Sequence, residues 1–320
     1  MIISASYKTD IPTFYGEWFS NRLNAGYCKM VNPYNRRAIH VDLRREGVGG
    51  FVFWTKNVAP FLRVLSNVRE KGFPFVVQHT INGYPRQLEY AVVDADRSVS
   101  NLRRISEEYG KRVPVWRYDT IVMSSLTPVE FHLRNFERIA KQLEGAVDEV
   151  VISFAQLYRK TLLNMNAAAK TSDFSWNDPA PEEKRDLTVK LVQIADAHSM
   201  QLSICSQRSF LVPGATDARC VDAQRLSDVA GVAVAAALKG NRKECGCFAS
   251  RDIGEYDTCP HGCIYCYAVQ NRQLAQERFR KHDPNSEYLF APDYVAGDEP
   301  RGVQLPLFAA SAVDGNTSSP

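Results

Sequence analysis

What this sequence does without narrows its reading. No run comes near the roughly eighteen apolar residues of a membrane-spanning helix, so no membrane partner is expected. The opening MIISASYKTD has no basic segment ahead of an apolar one, which sets aside an export signal. Phosphate-loop and dinucleotide fingerprints are missing; Gly47-Val48-Gly49-Gly50 precedes a strand-like run instead of following one and reads as a loop. Strong charge of one sign is missing too. A net +3 over 320 residues neither demands nor excludes a nucleic-acid partner. Arg36-Arg37, Arg44-Arg45, Arg103-Arg104 and Arg278 to Lys281 read as solvated surface unless they share one face.

What is present is the composition of a soluble globular protein, 45% hydrophobic and 23% charged. The chain is long enough to bury a large core. Its eight cysteines are concentrated, five of them lying between Cys245 and Tyr267 in CGCFASRDIGEYDTCPHGCIYCY. Clustered thiols without an export signal argue against a disulfide framework and for the cytoplasm.

Strand-like runs at Ile2–Ser6, Phe51–Trp54, Phe73–Thr80, Val113–Tyr118, Val150–Phe154 and Gln201–Ser206 alternate with helical patterns. The first helix begins after Asp10, with Phe14, Trp18 and Arg22 on one stripe and Gly26 at its end. Others are expected at Pro60–Lys71, Val99–Tyr109, after a capping box at Thr127-Pro128-Val129-Glu130, and over 182–198. Cys28–Val31 and Ile39–Leu43 flank the turn Asn32-Pro33-Tyr34-Asn35 as a hairpin insertion, and a loop covers Ser172–Pro181. This alternation predicts a parallel β/α barrel or partial barrel, TIM-like with about six strands, or else a doubly wound open sheet. One domain is expected over 1–290, including the cysteine stretch, with a flexible tail over 291–320.

Cys259, Cys263 and Cys266 form C-x3-C-x2-C, with Pro260 and Gly262 bending the chain between the first two. Thiolates so close can converge on a soft metal centre, and a [4Fe–4S] cube is a natural occupant. Three protein ligands leave one iron open to chemistry. Two other readings stand beside this one. The C-x-C of Cys245 and Cys247 plus a C-x2-C supplies four sulfurs to a structural zinc. Alternatively, Cys245 or Cys247 closes the fourth iron and leaves a structural or electron-transfer centre.

With Tyr265 directly before Cys266, the triplet resembles the hallmark of the radical SAM superfamily. The fuller string Cys259-Pro-His-Gly-Cys-Ile-Tyr-Cys-Tyr267 is similar to the spore photoproduct lyase branch, which reads C-P-x-x-C-x-Y-C-Y. Over its length, through TDIPTFYGEWF, FVFWTKN, WRYD, ISFAQLYRKT, CGC and DIGEYDTCPHGCIYCYA, the chain resembles the bacterial family of domain of unknown function 1848. That family has a radical-SAM-like cysteine group at its C-terminal end.

The likeness implies a (β/α)6 partial barrel in which S-adenosyl-L-methionine chelates the open iron. Reductive cleavage would then yield a deoxyadenosyl radical that takes hydrogen from a substrate, fed by a reductant such as a flavodoxin or ferredoxin. The lyase likeness tilts the substrate toward damaged or modified nucleic acid. Two departures stand out. The superfamily's glycine-rich element has no convincing copy here. Its cysteine triplet follows the first strand, whereas here it follows the sixth, so a circularly permuted layout is required, with Ala268–His282 as the helix after the cluster loop.

In parallel β/α folds chemistry gathers at the C-terminal strand ends. Those ends carry Ser6, Lys8 and Asp10; Thr55-Lys56-Asn57; Gln78 and Thr80; Arg117 and Asp119; Gln156 to Lys160; and Ser206 with Arg208. Lys56 or Arg117 would take the carboxylate of S-adenosyl-L-methionine, and Asp119 its amine or a hydroxyl. Tyr265 would line the cofactor from the cluster loop. His261, inside the triplet, would donate to a cluster sulfur or face water.

Near the end, Gln304, Leu305, Leu307 and Phe308 resemble the Q-L-x-L-F peptide by which bacterial repair and replication proteins bind the sliding clamp. The same residues would equally serve as a strap over the protein's own barrel. The enzyme reading therefore has an alternative, a non-catalytic binding module with a structural zinc or closed cluster and a clamp-tethered tail.

Overall fold

The structure, a computed structural model, describes residues 1–240, 242, 244–290 and 293–298. Strand β1 (Ile2–Ala5) is buried along its whole length, as a strand covered on both faces must be. Helices α1 (Ile11–Phe14) and α2 (Gly16–Ala25) follow, and then the antiparallel hairpin β2 (Tyr27–Val31) and β3 (Ala38–Asp42). The alternation continues through β4 (Gly50–Thr55), α3 (Leu62–Glu70), β5 (Phe75–Thr80), α4 (Ala95–Tyr109) and β6 (Pro114–Ile121). After the short β7 (Met123–Ser124) come α5 (Val129–Leu143), β8 (Glu149–Phe154) and α6 (Arg159–Ser172). Next are β9 (Trp176–Asn177), which pairs with β7, then α7 (Pro181–Ala197) and β10 (Gln201–Ile204). The chain closes with β11 (Thr216–Asp217), α8 (Ala223–Ala230), β12 (Ser250–Asp252) and α9 (Arg272–Arg280).

Eight strands form one parallel sheet in the order β11-β10-β8-β6-β5-β4-β1-β12. Alternation along each strand divides its residues between two faces. On the helix-covered face, Phe51, Phe53, Phe75 and Val77 pack with Trp18 and Phe19 of α2 and Leu65 and Val68 of α3. Trp116, Tyr118, Val150 and Ile152 pack there against α4, α5 and α7. Phe53 meets Phe19 and Phe61 edge-on, at 5.3 Å and 5.0 Å centroid to centroid. That is the favoured arrangement for their quadrupoles.

On the other face Ile2, Val52, Val76, Val115 and Val151 gather with Ala218, Cys220, Val221, Leu226 and Cys247 into an apolar floor. Two residues further along the same face the chemistry turns polar, with Gln78, Arg117 and Ser153. The site begins there.

The six expected strands form, with β11 and β12 added at the two edges. Two or three residues are too few to show a period. Helix α6 was unmarked because only Thr161 and Met165 of its residues are buried, leaving no apolar stripe. The first helix breaks at Tyr15 into α1 and α2, and α2 ends as expected on Gly26 at φ 77°. The Thr127 capping box does not form: its hydroxyl donates instead to the Val122 carbonyl at 2.7 Å, and Pro128 takes the N-cap position. Beyond α9 the chain folds back, with Trp18 Nε1 donating to the Ser286 carbonyl at 3.0 Å and Lys29 pairing with Glu287 at 2.8 Å. Residues 293–298 run beside the hairpin, where Ala38 N donates to the Gly297 carbonyl at 2.8 Å.

Candidate functional site

A cavity of about 250 Å³ opens where the sheet strands end; Lys56, Arg117, Asp119, Tyr265 and the five cysteines from Cys245 to Cys266 line it, while Asn57, Gln78, Lys160 and Arg208 of the strand-end set do not. Lys56 comes from the end of β4, Arg117 and Asp119 from β6, and Cys245 and Cys247 from the segment before β12. Cys259, Cys263, Tyr265 and Cys266 come from the loop after β12.

Asp252 fixes where that loop starts. It is fully buried on β12 beside β1 and accepts from Ser4 Oγ at 2.7 Å, Ser6 Oγ at 2.6 Å, and the backbone N–H groups of Tyr7 and Gly254 at 3.0 Å. Gly254 is required there, because a Cβ would sit 2.0 Å from Ser6 Oγ. His261 pins the middle of the loop. It is buried, and its Nε2 lies 2.8 Å from Asp10 Oδ2. Asp10 also caps α1 through Thr13 N at 2.9 Å and accepts from Lys56 N at 2.8 Å. Burial pushes the Asp10 carboxyl up, but the His261 and Lys56 contacts outweigh it and hold it below the ordinary range. His261 is thus a positioning residue of the loop wall, neither solvent-facing nor free.

Glu89 ties the loop to β4 and β5. Its Oε1 accepts from Lys56 Nζ at 2.7 Å, Asn82 Nδ2 at 3.1 Å and the Tyr265 hydroxyl. Lys56 Nζ also stands 5.8 Å over the Tyr265 ring. Burial raises the Cys259, Cys263 and Cys266 thiols, and Lys56 opposes this at Cys263 and Cys266. Metal would have to displace protons from them.

Arg117, expected to be available for a carboxylate, is engaged. Nη1 donates to Gln78 Oε1 at 3.1 Å and to Cys220 Sγ at 3.0 Å, while Nε donates to Asp119 Oδ2 at 3.1 Å. Asp119 also accepts from Thr120 and Ser153, and although burial opposes it, Arg117 and these hydroxyls hold its carboxyl low. Arg117 therefore orients Asp119 into the cavity.

Cys245 and Cys247 lie with Cys220 and Cys205, not in the triplet's loop. Among the described residues no three His, Cys, Asp or Glu side chains are arranged to hold a single metal ion. A second groove, about 630 Å³, reaches Cys259, Cys263 and Cys266 between α6 and the start of α9, with Arg86 and Arg272 on its walls. Arg272 stacks on Tyr90 at 3.7 Å.

Asp10, expected at the end of the first strand, lines the cavity, but its pairing with His261 and the contacts of Glu89 and Asp252 are not legible in the sequence, because the partners lie 251, 176 and up to 248 residues away. The basic pairs have members engaged within the protein: Arg36 with the Tyr294 carbonyl, Arg44 with Asp42, Arg103 with the Gln142 carbonyl, and Arg278 with the Tyr256 carbonyl. No described helix is long and apolar enough to cross a membrane. The clamp-like residues Gln304, Leu305, Leu307 and Phe308 lie outside the described residues.

Among curated proteins, none matches the chain in sequence. A solved structure similar to it is a provisionally assigned alpha-L-fucosidase from Bacteroides thetaiotaomicron, 10% identical, covering 75% of this chain and 83% of that one. Its TM-score of 0.25 is too low to carry an argument. The family model described as domain of unknown function (DUF1848) matches residues 2–268, and the chain belongs to that family.

Proposed function

We propose that the protein is a radical SAM-type enzyme whose Cys259, Cys263 and Cys266 hold a [4Fe–4S] cluster in a circularly permuted partial barrel. The carrying observation is the place of the cluster loop. It leaves β12, which pairs with β1, so counting across the sheet from β12 through β1, β4 and β5 puts the triplet after the first strand, with α9 following. Curling of the sheet is supported by the floor, where side chains of five strands share one cluster with Cys220 and Val221 from beyond β11.

The donor set fits the group. Three thiols of one loop line the cavity, and cysteine thiolates are the ligands an iron–sulfur cluster takes. When bound, the cluster with S-adenosyl-L-methionine supplies one-electron cleavage of that cofactor and hydrogen abstraction from a substrate. The chain's part is to bind, orient and exclude water. Lys56, shared with Glu89, would take the cofactor's carboxylate. Asp119, held by Arg117, would take its amine or a hydroxyl. Tyr265, fixed by Glu89 and Asn82, would wall the cofactor, and the apolar floor closes the far side.

A small acidic electron donor of flavodoxin or ferredoxin type would approach through the groove of Arg86 and Arg272, whose lining carries no acidic residue. Such chemistry belongs in a reducing compartment such as the cytoplasm. The substrate we favour is a modified or damaged nucleobase, with the Gln304–Phe308 segment as a sliding-clamp tether. The test is chromatography of the anaerobic, reduced protein incubated with S-adenosyl-L-methionine. Release of 5′-deoxyadenosine that stops in the Cys263→Ala variant is expected; a fully loaded cluster that never cleaves the cofactor contradicts the reading.

A further inference from the structure

On one side of the cavity, cations are set on tyrosine rings. Tyr7 and Lys8 follow β1, Tyr158 and Lys160 open α6, Arg242 precedes β12, and Tyr256 and Tyr267 follow it. Lys8 Nζ stands 5.4 Å over the Tyr256 ring and Lys160 Nζ 5.5 Å over it. The Arg242 guanidinium stands 5.4 Å over Tyr267, whose ring lies 6.3 Å from that of Tyr158. Tyr267 is fixed in turn, its hydroxyl donating to the Tyr7 carbonyl at 2.7 Å. Tyr7, Lys8, Tyr158, Arg242 and Tyr267 line the cavity, and Tyr267 follows Cys266 directly, so this rim adjoins the triplet.

The positive charge of the rim is only partly met inside the protein. Of the lysines and arginines lining the cavity, Lys56 is paired with Glu89 and Arg117 with Asp119, which leaves Lys8 and Arg242. Arg242 Nη1 donates to the neutral Gln156 at 3.1 Å, and among the described residues neither Arg242 nor Lys160 forms an ion pair with a carboxylate. Lys8 lies 3.8 Å from Asp252, but that carboxylate already accepts from two hydroxyls and two backbone N–H groups. Glu255, the other acid beside Tyr256, accepts from Tyr256 N at 2.9 Å. Three cations gathered on two rings beside a cavity focus a positive field on whatever enters it.

We propose that this rim is a phosphate subsite and that the ligand entering the cavity is a nucleotide. Arg242, Lys160 and Lys8 would hold its phosphate, with the nucleoside turned toward the triplet and Asp119. Guanidinium and ammonium donors suit phosphate oxygens. Tyrosine rings beside them suit a stacked base, and Tyr158, 44% exposed, offers one. This adds a phosphate to the nucleobase favoured above and rests on that reading for the reaction, not for the binding.

Titration calorimetry of the full chain would compare a nucleoside 5′-monophosphate, its nucleoside, a short single-stranded oligonucleotide and inorganic phosphate. The monophosphate should bind about tenfold tighter than the nucleoside, the gain of a charge-assisted contact, and inorganic phosphate should compete with it. Changing Arg242→Gln together with Lys160→Gln should remove most of that preference, while Arg242→Lys alone, which keeps the charge, should retain it. For the oligonucleotide, the double change should lower the salt slope by about two. Tighter binding of the oligonucleotide marks a strand as the source and tighter binding of the monophosphate a free nucleotide; either upholds the subsite. Equal affinity for nucleoside and monophosphate, or wild-type affinity in the folded double variant, overturns it. No turnover is read, so failure to cleave S-adenosyl-L-methionine would contradict the proposed chemistry and leave the subsite standing.

Discussion

His261 Nε2 meets Asp10 Oδ2 at 2.8 Å with both side chains buried, joining the middle of the cysteine loop to the start of α1 across 251 residues. Lys56 N bonds the same oxygen at 2.8 Å, so one carboxylate sets the loop, the helix and the end of β4 together. The cysteine triplet is aimed by a polar contact, not only by its own turn.

Asp10→Ala removes the acceptor for three donors at once and should cost about 3 kcal/mol, the upper end for stranded buried hydrogen-bonding groups. Iron bound per chain on reconstitution should fall with it. Asp10→Asn, which keeps an oxygen, should cost less. Chemical denaturation and iron analysis of both variants check this; equal iron retention by Asp10→Ala and wild type would contradict it.

Gly254→Ala should be damaging although it adds one carbon. Its Cβ would stand 2.0 Å from Ser6 Oγ and 2.5 Å from Ser6 Cβ, inside the Asp252 network that fixes β12 to β1. Overpacking of this kind costs about 1–3 kcal/mol. Gly246→Ala, whose nearest neighbours stand at 3.8 Å, is the control and should be close to neutral. Thermal melts of the pair distinguish local strain from a general intolerance of the region.

Phe53→Ala should cost about 3–5 kcal/mol by leaving a cavity among Phe19, Phe51 and Phe61. Phe53 does not line the cavity of the cysteine triplet, so iron per folded chain should stay unchanged. Urea titration with iron analysis would show both.

Stability should fall as the pH drops below the ordinary histidine range. Burial holds His79 and His132 down to about 4, against the ordinary 6.5, so both stay neutral in the folded chain. The unfolded chain takes up these protons from about 6.5 downward, so stability is full above that, drops as pH falls, and levels off near 4. Each histidine accounts for about 3 kcal/mol over that window. His79→Gln should flatten the slope between pH 6.5 and 4 in a urea-midpoint series; an unchanged slope would contradict the assignment.

The parts legible in the sequence were those written over short distances. The runs GFVFWT, FVVQHT and EVVISF announce strands buried on both faces, and Gly26 marks a helix end. The C-x3-C-x2-C spacing puts three thiols in one loop, and strand-end positions bring Lys56, Arg117 and Asp119 to the cavity those thiols line. Their partners were hidden. Glu89, Asp10 and Asp252 sit in ordinary local contexts, and only folding brings them to Tyr265, His261 and Ser6. Strand β12 pairs only three residues with β1, too few for a period, yet it decides where the cysteine loop goes. Cys205 and Cys220 stand alone in sequence, and nothing local joins them to Cys247.

The open iron proposed at Cys259, Cys263 and Cys266 would show itself in EPR of the anaerobically reduced protein. Spectra would be taken with and without S-adenosyl-L-methionine, alongside iron, sulfide and zinc analysis. A reduced four-iron signal that shifts when the cofactor is added and disappears in the triplet alanine variant is expected. A four-iron signal indifferent to the cofactor, or zinc in place of iron at the triplet, would contradict it.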